Sequence, residues 1–167
     1  MKKVLIIDTS ILCVWLKVKG KETCGSGSNC ITFDDVNQKI LSEMQKATEF
    51  VLPLATVIET GNHIAHMPGD RYEVAHEFAE IIKKTTDNIS PWAAFTTQYI
   101  LWEPEKLKNL IATWLTTVNA DQSLGDASIV DVAAYYSRMG CDVEIYTGDE
   151  GLKSYEPQTR LIPRRRK

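Results

Sequence analysis

The apolar run near the amino terminus constrains the fold more than any other segment. Val4-Leu5-Ile6-Ile7 is rich in β-branched residues, has no polar alternation and ends abruptly at Asp8-Thr9-Ser10. This pattern is typical of a strand buried on both faces, as in a parallel sheet that lies between two helix layers. We therefore expect an α/β/α sandwich in which helices cover both faces of the first strand.

The remaining pattern alternates strands and helices. Further strands are predicted over residues 51–54, 142–146 and 159–162, and helices over residues 36–50, 56–66, 71–86, 104–118 and 123–139. Residues 95–102 are ambiguous, because a strand near residues 99–101 competes with a helix that begins after Pro91. Residues 17–35, rich in Lys, Gly and Ser, are predicted to be a polar loop insertion. The alternation predicts an open, mostly parallel α/β sheet.

Length and charge narrow the class of protein. The 167 residues fit a single domain, 1–167, that ends in a basic tail at 163–167. With 19 basic and 22 acidic residues the net charge is -3; since the last four residues are basic, residues 1–163 carry a net charge of -7. Either the acids are spread over solvated helix faces, or some are gathered where a cation or a reaction uses them. No apolar run could span a bilayer or form a secretory signal, so we expect a cytoplasmic protein without a membrane partner.

Acidic residues stand where the predicted strands end. Asp8 follows the first strand, Glu59 lies one helical turn beyond the second, and Asp149 follows the strand at 142–146. Asp126 opens the helix that leads into that strand. Because ligands of open α/β sheets bind outside the carboxyl ends of the strands, these four carboxylates are predicted to converge on one mouth.

Each acid also has a structural explanation. Thr56-x-x-Glu59, Ser123-x-x-Asp126 and Thr147-x-x-Glu150 all fit the capping box of a helix amino terminus. Asp8 is also a suitable cap for a helix that begins at Thr9. Capping explains each acid taken alone, but it gives no reason for caps to gather at one edge of a sheet.

Clustered carboxylates predict a divalent cation. They repel one another and are tolerated when such an ion neutralises them. Carboxylate and hydroxyl oxygens suit Mg²⁺ or Mn²⁺, and no thiol or imidazole cluster is evident that would favour a softer ion. Cys24 and Cys30 flank a Gly/Ser stretch without the C-x2-C pairs of a zinc site, so they indicate an ordinary loop. The pattern predicts a metal-dependent phosphoryl-transfer site.

Four motifs together resemble the PIN-domain nucleases. They are Ile7-Asp8-Thr9-Ser10, Ile58-Glu59-Thr60, Leu124-Gly125-Asp126-Ala127-Ser128-Ile129 and Tyr146-Thr147-Gly148-Asp149-Glu150. The resemblance implies a sheet of order 3-2-1-4-5 and a metal-dependent endoribonuclease. It also implies that Asp8, Glu59, Asp126 and Asp149 bind one or two Mg²⁺ or Mn²⁺ ions, with Ser10 and Thr147 as hydroxyl helpers. Related domains commonly form homodimers, and toxin members pair with an inhibitory antitoxin, but the 17–35 and 67–103 regions make this chain larger than those toxins. Toxin, phage-defence and RNA-processing roles all stay open.

The other polar candidates have weaker signals. Glu59, His63 and His66 share a helical face, although the spacing is not that of H-E-x-x-H, and His63 is the one expected to point with Glu59 toward substrate. Asp131 lies about 140° around its helix from Asp126, so it is expected on the helix flank or as an outer partner. Two interpretations stay open for the basic residues of the tail, a phosphate-contacting arm or a solvating end; they are Arg164, Arg165, Arg166 and Lys167.

Two other activities compete with the nuclease. A haloacid-dehalogenase-type phosphatase also places an Asp after its first strand, but it normally needs a second Asp two residues on, where this chain has Ser10. A PIN-like module that binds RNA or protein without cleaving is the non-enzymatic alternative. The presence of all four acids favours the nuclease over both.

Overall fold

The structure, a computed structural model, describes residues 1–158. Its strands are β1 (Lys3–Ile7), β2 (Glu49–Val51) and β3 (Asp142–Tyr146), and its α-helices are α1 (Thr9–Trp15), α2 (Phe33–Gln45), α3 (Leu54–His66), α4 (Tyr72–Thr86), α5 (Pro104–Thr117), α6 (Leu124–Arg138) and α7 (Glu150–Lys153). Short 3₁₀ helices cover Gly27–Asn29, Phe95–Trp102 and Val118–Ala120. The predicted strand at 159–162 and the basic tail at 163–167 lie outside the described residues.

The described strands form one parallel sheet in the order β2-β1-β3. Its registers pair Val4 with Glu49 and Ile7 with Tyr146. The prediction of an α/β fold with a parallel sheet is therefore confirmed. Residues 1–158 supply three strands to it, not the five of a 3-2-1-4-5 sheet.

Helices cover both faces of β1, as its apolar run predicts. Leu5 and Ile7 face a core built with α1, α2, α3 and α4, whereas Val4 and Ile6 face a second core built with α6 and α7. All four side chains are fully buried. Because neighbouring residues of a strand point to opposite faces, an unbroken apolar run is what this double burial requires. No helix within residues 1–158 is long and apolar enough to cross a membrane.

The ambiguity at residues 95–102 is resolved in favour of a helix, and no strand forms near residues 99–101. Phe95, Gln98 and Leu101 all pack inward, and their spacing of three residues matches the 3₁₀ helix that covers Phe95–Trp102. The sheet gains a single parallel bridge earlier in the chain instead, between Phe50 and Trp92. There the Phe50 N–H donates to the Pro91 carbonyl (2.7 Å). The aromatic and β-branched residues of this region indicated that it is buried. They did not indicate whether its inward-facing residues repeat every two positions, as in a strand, or every three, as in a 3₁₀ helix.

Three predicted segments have other boundaries. The helix expected over residues 36–50 ends at Gln45, because residues 49–51 belong to β2. β2 ends at Val51 and Pro53 occupies the N-cap position of α3, so the strand expected at 51–54 lies earlier in the chain. α2 begins at Phe33 because Thr32 and Asp35 form a capping box, so the polar insertion is a loop over residues 17–32. We call this segment the 17–32 loop.

Candidate functional site

The four predicted acids line one cavity beyond the carboxyl end of β1. The cavity has a volume of about 370 Å³. Its lining residues are Asp8, Thr9, Ser10, Cys13, Lys21, Thr23, Cys24, Glu59, His63, Asp126 and Asp149. We call it the acid cavity. Residues that lie far apart along the chain come together here because β1, α3, α6 and the segment after β3 all meet at this edge.

Asp8 is the most constrained acid of the cavity. Its side chain is only 6% exposed. Three hydrogen bonds end on its Oδ2 atom, from the Ser10 N–H (3.3 Å), the Ser10 hydroxyl (2.7 Å) and the Thr147 hydroxyl (2.8 Å). Ser10 and Thr147, the two predicted hydroxyl helpers, therefore hold the Asp8 carboxylate in one orientation.

The segment that follows β3 is tied to the one that follows β1. The Gly148 N–H donates to the Ser10 hydroxyl (3.1 Å), and the Asp149 N–H donates to the Thr147 hydroxyl (2.9 Å). Asp149 then caps α7, because its Oδ1 accepts the Leu152 N–H (3.0 Å). One chain of hydrogen bonds thus fixes Asp149 relative to Asp8.

Glu59 and Asp126 form the side of the cavity contributed by α3 and α6. Glu59 Oε2 accepts the Thr9 hydroxyl (3.0 Å). Gly125 allows α6 to approach, because a Cβ at this position would overlap the Glu59 carboxylate. Asp126 completes a capping box in which Ser123 N–H donates to Asp126 Oδ2 (3.1 Å) and Asp126 N–H donates to the Ser123 hydroxyl (3.0 Å).

Capping and clustering coexist at this site. The predicted caps Asp8 and Ser123/Asp126 are confirmed. The other two predicted capping boxes are wrong, because Thr56 donates to the Ile7 carbonyl (3.1 Å) and Thr147 donates to Asp8. In Asp8, Asp126 and Asp149 alike, the caps use one carboxylate oxygen. A capping role therefore leaves the second oxygen of each acid for another partner.

The charges of the four acids have no cationic side chain in contact. Within residues 1–158, none of the ion pairs includes Asp8, Glu59, Asp126 or Asp149. In the same part of the chain, no side-chain hydrogen bond ends on Asp8 Oδ1, Glu59 Oε1, Asp126 Oδ1 or Asp149 Oδ2. Each of the four acids therefore keeps one carboxylate oxygen without a hydrogen-bond partner among these residues.

This donor set fits a hard divalent ion in its chemistry. Carboxylate oxygens are the ligands that Mg²⁺ and Mn²⁺ prefer. Among the described residues no three His, Cys, Asp or Glu side chains are already arranged as ligands of a single ion. Binding an ion would therefore require other acids of the cavity to rotate toward Asp8, which Ser10 and Thr147 hold in place.

Softer donors also line the cavity. His63 lies there as predicted, and Cys13 and Cys24 contribute to the wall without a motif that indicated it. Burial raises the pKa of the Cys13 thiol to about 11 and also raises the pKa of Cys24. Both thiols are therefore protonated at neutral pH, and a protonated thiol is a poor metal ligand. The carboxylates remain the stronger donors.

The other candidates lie elsewhere. His66 is exposed, and its Nδ1 donates to the Asn62 carbonyl (2.7 Å) one turn back along α3. Asp131 lies outside the cavity wall, where burial raises its pKa. The tail residues Arg164, Arg165 and Arg166 lie outside the described part of the chain.

Sequence reasoning missed the contribution of the 17–32 loop. Lys21, Thr23 and Cys24 line the acid cavity, although no motif marks them. The loop packs so closely on the β3–α7 connection that a Cβ on Gly148 would lie 2.6 Å from the Gly25 nitrogen. This contact joins residues more than a hundred positions apart, so no local sequence pattern predicts it.

No protein-family model, curated protein or solved structure matches the chain.

Proposed function

We propose that the chain is a metal-dependent endonuclease that hydrolyses phosphodiester bonds of RNA in the acid cavity. The observation that carries the proposal is the meeting of Asp8, Glu59, Asp126 and Asp149 around one cavity with no cationic side chain paired to them within residues 1–158. Four carboxylates in one place make a negative field that a divalent ion would neutralise. The preference for RNA over DNA rests on the resemblance to the PIN-domain nucleases.

The chain's own residues would prepare the site. The free oxygens of the four acids would hold Mg²⁺ or Mn²⁺, and Ser10 and Thr147 would keep Asp8 turned toward it. A bound ion of this kind polarises a phosphodiester and lowers the pKa of a water molecule. His63 lies on the same wall and would face the substrate. The acids would act through the ion and not as covalent nucleophiles.

The proposed fold extends the described sheet to the order 3-2-1-4-5. β2, β1 and β3 would take its three inner places, and the bridge of Trp92 to Phe50 marks the outer side of β2. The strand predicted at 159–162 lies outside the described residues. Contact of the basic residues Arg164, Arg165 and Arg166 with RNA phosphates, a homodimer and an antitoxin-like inhibitor are further parts of the proposal.

Asp8→Asn tests the proposal. With Mn²⁺ and labelled single-stranded RNA, the wild-type protein should cleave and the variant should lose about 10³-fold or more of the activity. Circular dichroism should remain unchanged, because asparagine still offers an oxygen to the Ser10 and Thr147 hydroxyls. Asp131→Asn is the matched control, an acid of α6 outside the cavity wall, and it should cleave like the wild type.

Two outcomes would replace the proposal. RNA and Mn²⁺ binding without cleavage of varied substrates would indicate a PIN-like binding module. Trapping of a phosphorylated Asp8 would indicate a phosphatase of the haloacid-dehalogenase type. The Ser10 hydroxyl lies 2.7 Å from Asp8 Oδ2, at the position where that class carries its second Asp, which speaks against the phosphatase.

A further inference from the structure

The 17–32 loop contributes one basic residue, Lys21, to the wall of the acid cavity. Of the described residues that line the cavity, Lys21 is the one lysine or arginine. It belongs to none of the four motifs that resemble the PIN-domain nucleases. A polyanionic substrate would approach a wall that carries four carboxylates, which repel its phosphates. A cation on the same wall offsets part of that repulsion.

A tight turn fixes the backbone of Lys21. Val18 is buried, and its N–H donates to the Cys13 carbonyl at the end of α1 (2.9 Å). The Lys21 N–H donates back to the Val18 carbonyl (2.9 Å), and Gly20 between them has φ +84°. A positive φ at the third residue is what a type II turn requires, and glycine adopts it without strain. The turn therefore anchors the backbone of Lys21 to the carboxyl end of α1.

The far end of the same loop is fixed to the segment after β3. Cys24 and Ile31 exchange backbone hydrogen bonds of 3.1 and 2.8 Å. The Asn29 side-chain nitrogen donates to Glu150 Oε1 (2.6 Å), and Gly25 packs on Gly148. The loop is thus held at both ends against elements that carry Asp8 and Asp149, and it forms part of the cavity wall.

Lys21 forms no ion pair within the described part of the protein. None of the ion pairs within residues 1–158 includes it, whereas Lys3, Lys39 and Lys46 are all paired with Glu43. A lysine ammonium is a compact point charge that binds phosphate oxygens. In phosphodiester hydrolysis negative charge is spread over the oxygens of the reacting phosphate, and a fixed cation nearby stabilises it.

We infer that Lys21 contacts the scissile phosphate in the acid cavity and is a catalytic residue of the hydrolysis proposed above, on which this inference rests. The bond from the water oxygen to phosphorus forms while the bond from phosphorus to the leaving oxygen breaks. Water supplies both the hydroxyl kept on the phosphate and the proton taken by the leaving oxygen. Lys21 stays protonated throughout and donates hydrogen bonds to a non-bridging oxygen.

Lys21→Ala tests the inference against a matched control, Lys19→Ala. Lys19 lies in the same loop, but its ammonium lies against Gly69 in the α3–α4 connection. Lys21→Ala should lower kcat/KM for Mn²⁺-dependent cleavage of single-stranded RNA by about 100-fold, the cost of one donor to a developing oxyanion. Lys19→Ala should stay within about threefold of the wild type, and Lys21→Arg should restore part of the loss.

The outcomes separate this inference from the proposed function. If the wild type cleaves, Asp8→Asn does not, and Lys21→Ala behaves like Lys19→Ala, the role of Lys21 is overturned and the nuclease stands. If the wild type does not cleave, the nuclease and the catalytic role of Lys21 fail together, and RNA binding then tests only whether Lys21 contacts a phosphate. Measured by fluorescence anisotropy without metal, Lys21→Ala should then weaken binding more than Lys19→Ala and lower the salt slope by about one phosphate contact. Equal binding by the two variants would overturn that contact.

Discussion

Carboxylates lie at both ends of the central strand β1, and the protein treats their charges in opposite ways. At the amino end, Glu43 of α2 is fully buried. Its carboxylate accepts hydrogen bonds from Lys3 (3.0 Å), Lys46 (3.2 Å) and the Thr48 hydroxyl (2.7 Å), and forms an ion pair with Lys39 (3.2 Å). At the carboxyl end, the four acids of the acid cavity have hydroxyl and amide partners but no paired cation within residues 1–158.

The difference follows from solvent access. A charge removed from water is tolerated only when other groups replace its hydration, so Glu43 needs its three lysines and its threonine. Glu59, Asp126 and Asp149 are at least partly exposed, so water can solvate their free oxygens. Asp8 is buried, and hydroxyl groups of Ser10 and Thr147 replace part of its hydration. The charge of Glu43 is balanced by its own lysines and stabilises the fold. The charges of the cavity acids would be balanced only by a bound cation.

Replacing Glu43 should produce the largest change in stability. Burial alone would raise the pKa of Glu43, but hydrogen bonds from Thr48, Lys3, Lys46 and Lys39 outweigh it and lower the pKa from 4.5 to about 2. Glu43→Gln leaves three lysine ammonium groups around a neutral amide and should lower the free energy of unfolding by about 3 kcal/mol. Urea unfolding at neutral pH measures the change, and Glu105→Gln on the exposed face of α5 is the control that should leave the midpoint in place.

The difference in unfolding free energy between the wild type and Glu43→Gln should depend on pH. The pKa of Glu43 is lower in the folded chain (about 2) than its ordinary value of 4.5, so the folded state binds fewer protons near this group. The stabilisation is therefore complete above about pH 5 and is lost as the pH falls toward 2. The gap between wild type and Glu43→Gln should close over that range. A gap that stays constant would mean that lost packing, and not lost charge, destabilises the variant.

These two regions also differ in how far they could be predicted. The acids of the cavity follow strand ends or open helices, so short stretches of contiguous sequence are enough to indicate their shared edge. β3 lies where it was predicted, at Asp142–Tyr146, for the same local reason. Glu43 carries no such signal, because its burial depends on Lys3 and Thr48 closing over it from other elements. The position of Lys21 at the cavity wall could not be predicted for the same reason. It depends on packing of the 17–32 loop against Gly148, far away in the sequence.

Mn²⁺ should stabilise the protein by binding at the acid cavity and not at the Glu43 cluster. An ion that binds the folded state at about 100 times its dissociation constant raises the free energy of unfolding by about 2.7 kcal/mol. For a chain of this size that corresponds to a rise in Tm of about 5–10 °C. We expect this rise in the wild type and in Asp131→Asn, and its loss in Asp8→Asn. Equal rises in all three proteins would place the ion outside the acid cavity.

The smallest expected change in stability belongs to Glu59→Gln, which is the same chemical substitution as Glu43→Gln. Glu59 Oε2 accepts the Thr9 hydroxyl (3.0 Å), and an amide oxygen can accept that bond equally well. No cation within residues 1–158 loses a partner, and repulsion from the other acids of the cavity falls. The free energy of unfolding without metal should therefore change by no more than about 0.5 kcal/mol.

The same variant should nevertheless lose the stabilisation by Mn²⁺ and most of the cleavage, because one ligand oxygen of the proposed ion becomes a neutral amide. Urea unfolding with and without Mn²⁺ measures both stabilities on one protein, and cleavage of labelled single-stranded RNA measures the activity. If Glu59→Gln loses as much stability as Glu43→Gln in the absence of metal, the carboxylates of the cavity support the fold themselves. The absence of cationic partners for them within residues 1–158 would then no longer indicate a ligand site.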